Sequence, residues 1–178
     1  MRSMLALARM IDAVNERVGR AVAWLVLVAV LVSTGNAISR YALSVSSNAW
    51  LEIQWYLFSA IFLLAAGYTL LHHGHVRIDI LYGRYSPRTR AWIDILGALF
   101  FLMPMAVLIL YLSWPVFVLS YSGQEMSGDA GGLVRWPVKV LMPLGFALLV
   151  LQGLSQIVKR IAYLRGEAPL DEGGPGPV

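Results

Sequence analysis

The chain has 178 residues, of which 58% are hydrophobic and 13% charged, with a formal net charge of +4 and a mean hydropathy of +0.68. Soluble domains carry about 25% charged residues, so this composition excludes an ordinary globular domain in water. The lack of cysteine excludes disulfides, thiolate metal sites, iron–sulfur clusters and cysteine nucleophiles.

Four uncharged apolar stretches fill most of the sequence: Ala21–Ser39, Ile53–Leu71, Ile95–Gln124 and Val140–Val158. A helix needs about 20 mainly apolar residues to cross a bilayer core. The sequence therefore predicts an all-α integral membrane protein with four transmembrane helices, at approximately 20–42, 50–72, 90–118 and 137–162. They make one membrane domain over residues 1–165, followed by a flexible cytoplasmic tail at 166–178 that is rich in glycine and proline.

Before the first span, Met4, Leu7, Ile11, Val14 and Val18 follow helical spacing, while Arg9, Asp12, Glu16 and Arg20 fall mostly on another face. This pattern predicts an amphipathic helix in the cytoplasmic interface; a frayed, positively charged tail is the plainer alternative. Arginines ahead of an apolar run also suggest a signal peptide, with small residues at Ser33–Ala37. The run continues to Ser39, full spanning length, so an uncleaved anchor is expected.

Ser44–Asn48 is a short polar turn between spans one and two, which predicts an antiparallel pair. Trp50, Trp55 and Tyr56 then suit headgroup depth, in contact with membrane lipid. Glu52 at this boundary is expected to be an anchor or a partner for Arg40. The connection after span two, His72-His73-Gly74-His75-Val76-Arg77-Ile78-Asp79, is too apolar for a free loop. Ser86-Pro87 reads as a helix start, with Ser as N-cap and Pro at the first helical position. The third stretch exceeds the hydrocarbon thickness, and Pro104 and Pro115 are its natural bend points. Gly123–Arg135 is a Gly-rich polar connection, Trp136-Pro137 restarts helix, Pro143 bends it early, and Arg165-Gly166 ends it. Gly67, Gly97, Gly145 and Gly153 allow close approach of helices.

The basic residues divide 11 to 3 between alternate connections. Both termini and the middle connection are therefore expected in the cytoplasm of a multi-pass inner-membrane protein. The basic residues flank spans, so their role is topological and no nucleic-acid partner is expected.

His72, His73 and His75 invite a metal or haem reading, but no other histidine exists to serve as a facing axial ligand unless a partner supplies one. Interfacial or structural hydrogen bonding is the plainer role, and no cofactor or metal site is expected. The mid-depth regions around Ala29, Phe62, Val107 and Leu149 carry no charge. Transporters and pumps place ionisable groups there, and nothing marks a nucleophile or a phosphate loop. The chain is thus read as neither an enzyme nor a transporter on its own.

The pieces in order resemble a known family. They are Glu52-Ile53-Gln54-Trp55, Gly74-His75-Val76-Arg77-Ile78-Asp79, Ser86-Pro87-Arg88, Gly131-Gly132-Leu133, Trp136-Pro137-Val138-Lys139, Met142-Pro143-Leu144-Gly145-Phe146 and Gln152-Gly153. The chain resembles the small permease subunit of a tripartite ATP-independent periplasmic (TRAP) transporter, the DctQ-like family, over roughly residues 15–165. The last run is most similar to the branch associated with mannitol, chloroaromatic acids and 2-oxo acids. The resemblance implies a scaffold for a large permease subunit in ion-gradient-driven, usually sodium-coupled, uptake of an organic acid. It also implies a periplasmic substrate-binding protein as partner. Glu52, Gln54, Trp55, His75, Arg77 and Asp79 are the candidate subunit-interface residues. An autonomous oligomeric channel or exporter, and a membrane anchor of a redox complex, are the alternatives.

Overall fold

The computed structural model describes residues 2–44, 47–74 and 84–169. Among these the chain is helical, with four helices long and apolar enough to cross a membrane: Arg2–Ala42, Asn48–Leu71, Pro87–Ser122 and Trp136–Leu164. The first two are α1 and α2. The third comprises α3, Pro87–Gly97, a π-helical turn at Ala98–Leu102, and α4, Met103–Ser122. The fourth comprises a short α5, Trp136–Lys139, and α6, Leu141–Leu164.

Local sequence accounts for the starts, stops and irregularities. Ser86 caps α3 by accepting the Thr89 N–H at 3.3 Å, with Pro87 in the first turn. Pro104 has no N–H to donate one turn back, and the π-helical turn lies directly before it. Pro115 sits inside α4 without ending it. Pro143 likewise leaves the Lys139 carbonyl without its helical donor, and the fourth span breaks between α5 and α6 at Val140. At the end of α6, Gly166 has φ +73° and Glu167 N–H reaches back to the Ala162 carbonyl at 3.0 Å, a Schellman stop. At the end of α2, His73 takes the corresponding left-handed position at φ +53°.

The helices do not form an evenly packed bundle. α6 touches α1, α2, α3 and α4, while the third span leans on α6 and not on α1. The small apolar cluster of Leu70, Ala106 and Leu149, flanked by Phe146 and Val150, lies where α2, α4 and α6 meet.

α1 runs 41 residues without a break. The N-terminal segment expected in the interface is helical, but it continues straight into the first span. Met4, Leu7 and Val14 point outward, as an interfacial face would, whereas Asn15 is fully buried. Ala8, Asn15, Val22, Ala29 and Asn36, each seven residues apart, line the packed seam, as at one position of a coiled-coil heptad. Lipid is as apolar as leucine, so large apolar side chains gain nothing by turning inward; small and polar residues let helices approach and bond. The largest fully buried side chains are accordingly Gln152, Asn15, Ser120 and Ser155.

Three of the four expected close-approach glycines do that job. A Cβ at Gly145 would lie 2.5 Å from the Leu63 carbonyl oxygen, one at Gly153 would lie 2.9 Å from Met103 Cε, and one at Gly67 would strike the Asn15 side chain. Gly97 differs, with nothing within 4 Å of its Cβ position. Gly19, beneath the Tyr68 ring, is a close-approach site as well. Gly145→Ala should therefore destabilise the chain by about 1–3 kcal/mol, because a backbone carbonyl cannot step aside. Gly97→Ala should be neutral or stabilising by up to about 1 kcal/mol. Unfolding midpoints of the two variants in detergent micelles test the contrast.

Candidate functional site

Polar side chains gather at the two ends of the helices. At the end holding Arg2, Leu71 and Leu164, a set of hydrogen bonds and ion pairs ties four helix segments together. Asn15 Nδ2 donates to Gln152 Oε1 at 2.9 Å, and Gln152 Nε2 donates to Asp12 Oδ1 at 2.9 Å. Ser155 Oγ donates to the same Asp12 oxygen at 2.7 Å, and Lys159 Nζ meets Asp12 Oδ2 at 2.5 Å. Together these bonds clamp α1 to α6. Asn15 Oδ1 is buried without a hydrogen-bond partner and faces the bare backbone of Gly67, a position that offers only a Cα–H contact.

α2 joins at its last turn. His72 Nε2 lies 2.6 Å from Glu16 Oε2, and its ring packs on Tyr68 at 4.3 Å between centroids. Gln156 Nε2 donates to the Leu70 carbonyl at 2.7 Å. α3 joins through Asp94, whose Oδ2 lies 3.0 Å from Arg160 Nε with both side chains largely buried. A buried pair of this kind is strongly coupled to packing, because removing one partner strands the other charge.

At the opposite end, the connection from Gly123 to Arg135 is more ordered than a loose polar loop. It folds back as a tight hairpin with one antiparallel bridge between Met126 and Val134. Glu52, on the first turns of α2, holds it: Oε1 accepts from Ser127 Oγ and Oε2 accepts from the Leu133 N–H at 2.6 Å. Tyr56 donates to the Val134 carbonyl at 2.9 Å, and Asn48 donates to the Ala130 carbonyl at 3.1 Å. Glu125 pairs with Lys139 across the base of the hairpin. The Lys139 ammonium holds the Glu125 carboxyl below its ordinary 4.5. That pairing is complete above pH 4.5 and is lost as pH falls through the lowered value.

The expected interface residues are thus placed differently from one another. Glu52 is not a partner for Arg40: both its oxygens are taken by the hairpin, and Arg40 lies over the Tyr41 ring at 5.9 Å. Gln54 is half-buried, and Trp55 is 75% exposed. His75, Arg77 and Asp79 lie outside the described residues. The sequence reading missed Asn15 and Ser155, and it placed Asp12 on a polar face and Gln152 in a family-like piece without giving either a partner. One available signal was Asn15 and Asn36 at the same heptad position as Ala8, Val22 and Ala29.

The carboxylates at both ends accept from amides, hydroxyls and cations that hold helices together, and among the described residues no group of acidic and histidine side chains is placed to hold a metal ion.

Two measurements test this geometry. Asn15→Ala and Gln152→Ala should each lower the unfolding midpoint, and a double-mutant cycle should give a coupling of about 0.5–2 kcal/mol. Strict additivity would mean that the two amides do not bond. Glu52→Ala should raise amide exchange across residues 125–135 by about tenfold, as expected on losing a bond to a charged acceptor. Exchange over residues 2–20 should not change.

A model of the family described as "Tripartite ATP-independent periplasmic transporters, DctQ component" matches residues 29–162, about three quarters of the chain. No curated protein and no solved structure matches it. The matched region contains the hairpin-end site whole, together with α2, α4 and the α6 hub. On that match the chain belongs to the DctQ component family of TRAP transporters.

Proposed function

We propose that this chain is the small subunit that braces the large permease subunit of a TRAP transporter in the inner membrane. In this reading an ion gradient, usually of sodium, drives uptake of an organic acid delivered by a periplasmic binding protein. The family match over residues 29–162 carries the proposal. The chemistry of the chain supports it. The four apolar stretches carry no Asp, Glu, Lys or Arg with which to bind or couple an ion at mid-depth. Most ionic groups at the end holding Leu71 and Leu164 are paired with one another, and Glu52 at the other end is bonded to the hairpin, as suits a part that stays rigid while a partner moves.

Both termini and the connection from Gly74 to Arg90 face the cytoplasm in this reading, following the 11 to 3 division of basic residues. The start of α2 and the segment beyond its other end are the proposed contacts with the large subunit. Gln54 and Trp55 present the first, and His75, Arg77 and Asp79 the second. The part of Glu52 is indirect, through the hairpin it holds.

Reconstitution tests the role. The chain alone in liposomes with sodium and proton gradients should take up no organic acid, and adding the large subunit and binding protein should restore uptake. Uptake by the chain alone would overturn the proposal. Trp55→Ala and Arg77→Ala should reduce co-purification of the large subunit; unchanged yield and uptake in both would dissolve the interface assignment. Reporter fusions after Arg84 and Gly128 should read inside and outside.

A further inference from the structure

α2 and α4 pack on α6 rather than on each other. The gap between them is a cleft in two joined parts. At hairpin depth a pocket of about 410 Å³ is lined by Asn48, Glu52, Tyr56, Asp129 and Arg135, with Trp55 at its edge. Toward mid-membrane a groove of about 420 Å³ is lined by Leu63, Ile109, Leu112, Val116 and Met142. Ser59 and Val138 line both, so the polar pocket opens into the apolar groove.

The polar groups in the groove are turned away from it. Ser59 Oγ donates to the Trp55 carbonyl and Ser113 Oγ to the Leu110 carbonyl, each within its own helix. The Lys139 ammonium is committed to Glu125. The groove wall is therefore hydrocarbon. In the pocket the reverse holds. The Glu52 carboxylate is used up by the hairpin. Arg135 makes one long bond, 3.3 Å, to Ser127 Oγ and keeps most of its five donors. The Asp129 carboxylate accepts no bond among the described residues; its backbone alone is engaged, the N–H with Ser127 Oγ and the carbonyl with the Gly132 N–H. One cation and one anion thus stand open at headgroup depth, above an apolar slot.

The depth of the slot fits one leaflet. From Glu52 to Leu63 along α2 is about 16 Å at 1.5 Å per residue, half a hydrocarbon core of about 30 Å. A partner helix would present apolar side chains to the groove and leave the Asp129 carboxylate and the spare Arg135 donors without a bonding partner. A zwitterionic lipid matches both. We propose that this cleft is a binding site for one phosphoglyceride with an ethanolamine head group. Its phosphate lies on Arg135, its ammonium on Asp129, and one acyl chain runs along the groove between α2 and α4.

Native mass spectrometry of the full-length chain, reconstituted with equal amounts of phosphatidylethanolamine and phosphatidylglycerol, tests the site. The wild-type chain should keep one phosphatidylethanolamine at activation energies that strip the remaining lipid. Arg135→Ala and Asp129→Ala should each reduce that retention by about tenfold, as for loss of one charge-assisted contact. Ser59→Phe should do the same by filling the junction, since its hydroxyl bonds only its own helix. Val107→Phe, on an exposed face of α4, should have no effect, and circular dichroism should show all four variants folded. Equal or greater retention of phosphatidylglycerol would overturn the proposal. So would retention unchanged in folded Arg135→Ala and Ser59→Phe, or no selectively retained lipid in the wild type.

Discussion

Asn15 and Gln152 lie fully buried against each other where α1 meets α6, and much of the architecture follows from that contact. In a bilayer the apolar side chains are already in a good solvent, so they supply no force to bring helices together. What remains is close backbone packing and hydrogen bonding. The Asn15 amide occupies the space left by the missing side chain of Gly67, so α2 is brought into the same crossing. Gln152 in turn passes the contact to Asp12, and Asp12 to Ser155 and Lys159. Three helices are thus fixed by a polar chain that a water-soluble protein would more often place on its surface.

The same logic explains why α6 is the hub. It carries the small residues Gly145 and Gly153 and the polar residues Gln152, Ser155, Gln156 and Arg160, so every other span has something to hold there. The third span has fewer such means. It is fastened by the Asp94 ion pair at one end and by Met103 over Gly153 lower down. It makes no matching set of bonds to α2, and the cleft between them stays open. An assembly held at its centre and splayed at its margin exposes long apolar flanks to lipid and to neighbours, in keeping with the supporting role proposed above.

The hairpin end depends on one carboxylate. Glu52 accepts from a side chain and a backbone amide on opposite limbs of the 125–135 connection, and so fixes it against α2. Glycine serves the turn directly at Gly131, where φ is +73°. The result is a shaped polar surface at one face of the membrane, where sequence alone indicates only a Gly-rich link.

The sequence by itself determined the class of the molecule. Length and lack of charge in four stretches mark spanning helices, because the hydrocarbon thickness sets one required length whatever the packing. The Ser86-Pro87 start and the Gly166 stop were equally legible, since caps are local chemistry. The polar face of α1 was not. Its amphipathic pattern indicated an apolar side toward the membrane, and Leu7 and Val14 do turn out, but no local signal showed that Asp12 and Asn15 would pack against α6. Nor could the sequence tell that Glu52 is bonded within its own chain, because its partners, Ser127 and Leu133, are some 75 to 81 residues away. Only the parallel packing of α2 on α6, with the two helices starting at the same end, brings them together. Local patterns fix where helices begin, end and cross the bilayer; which polar groups meet depends on long-range crossings that no local pattern records.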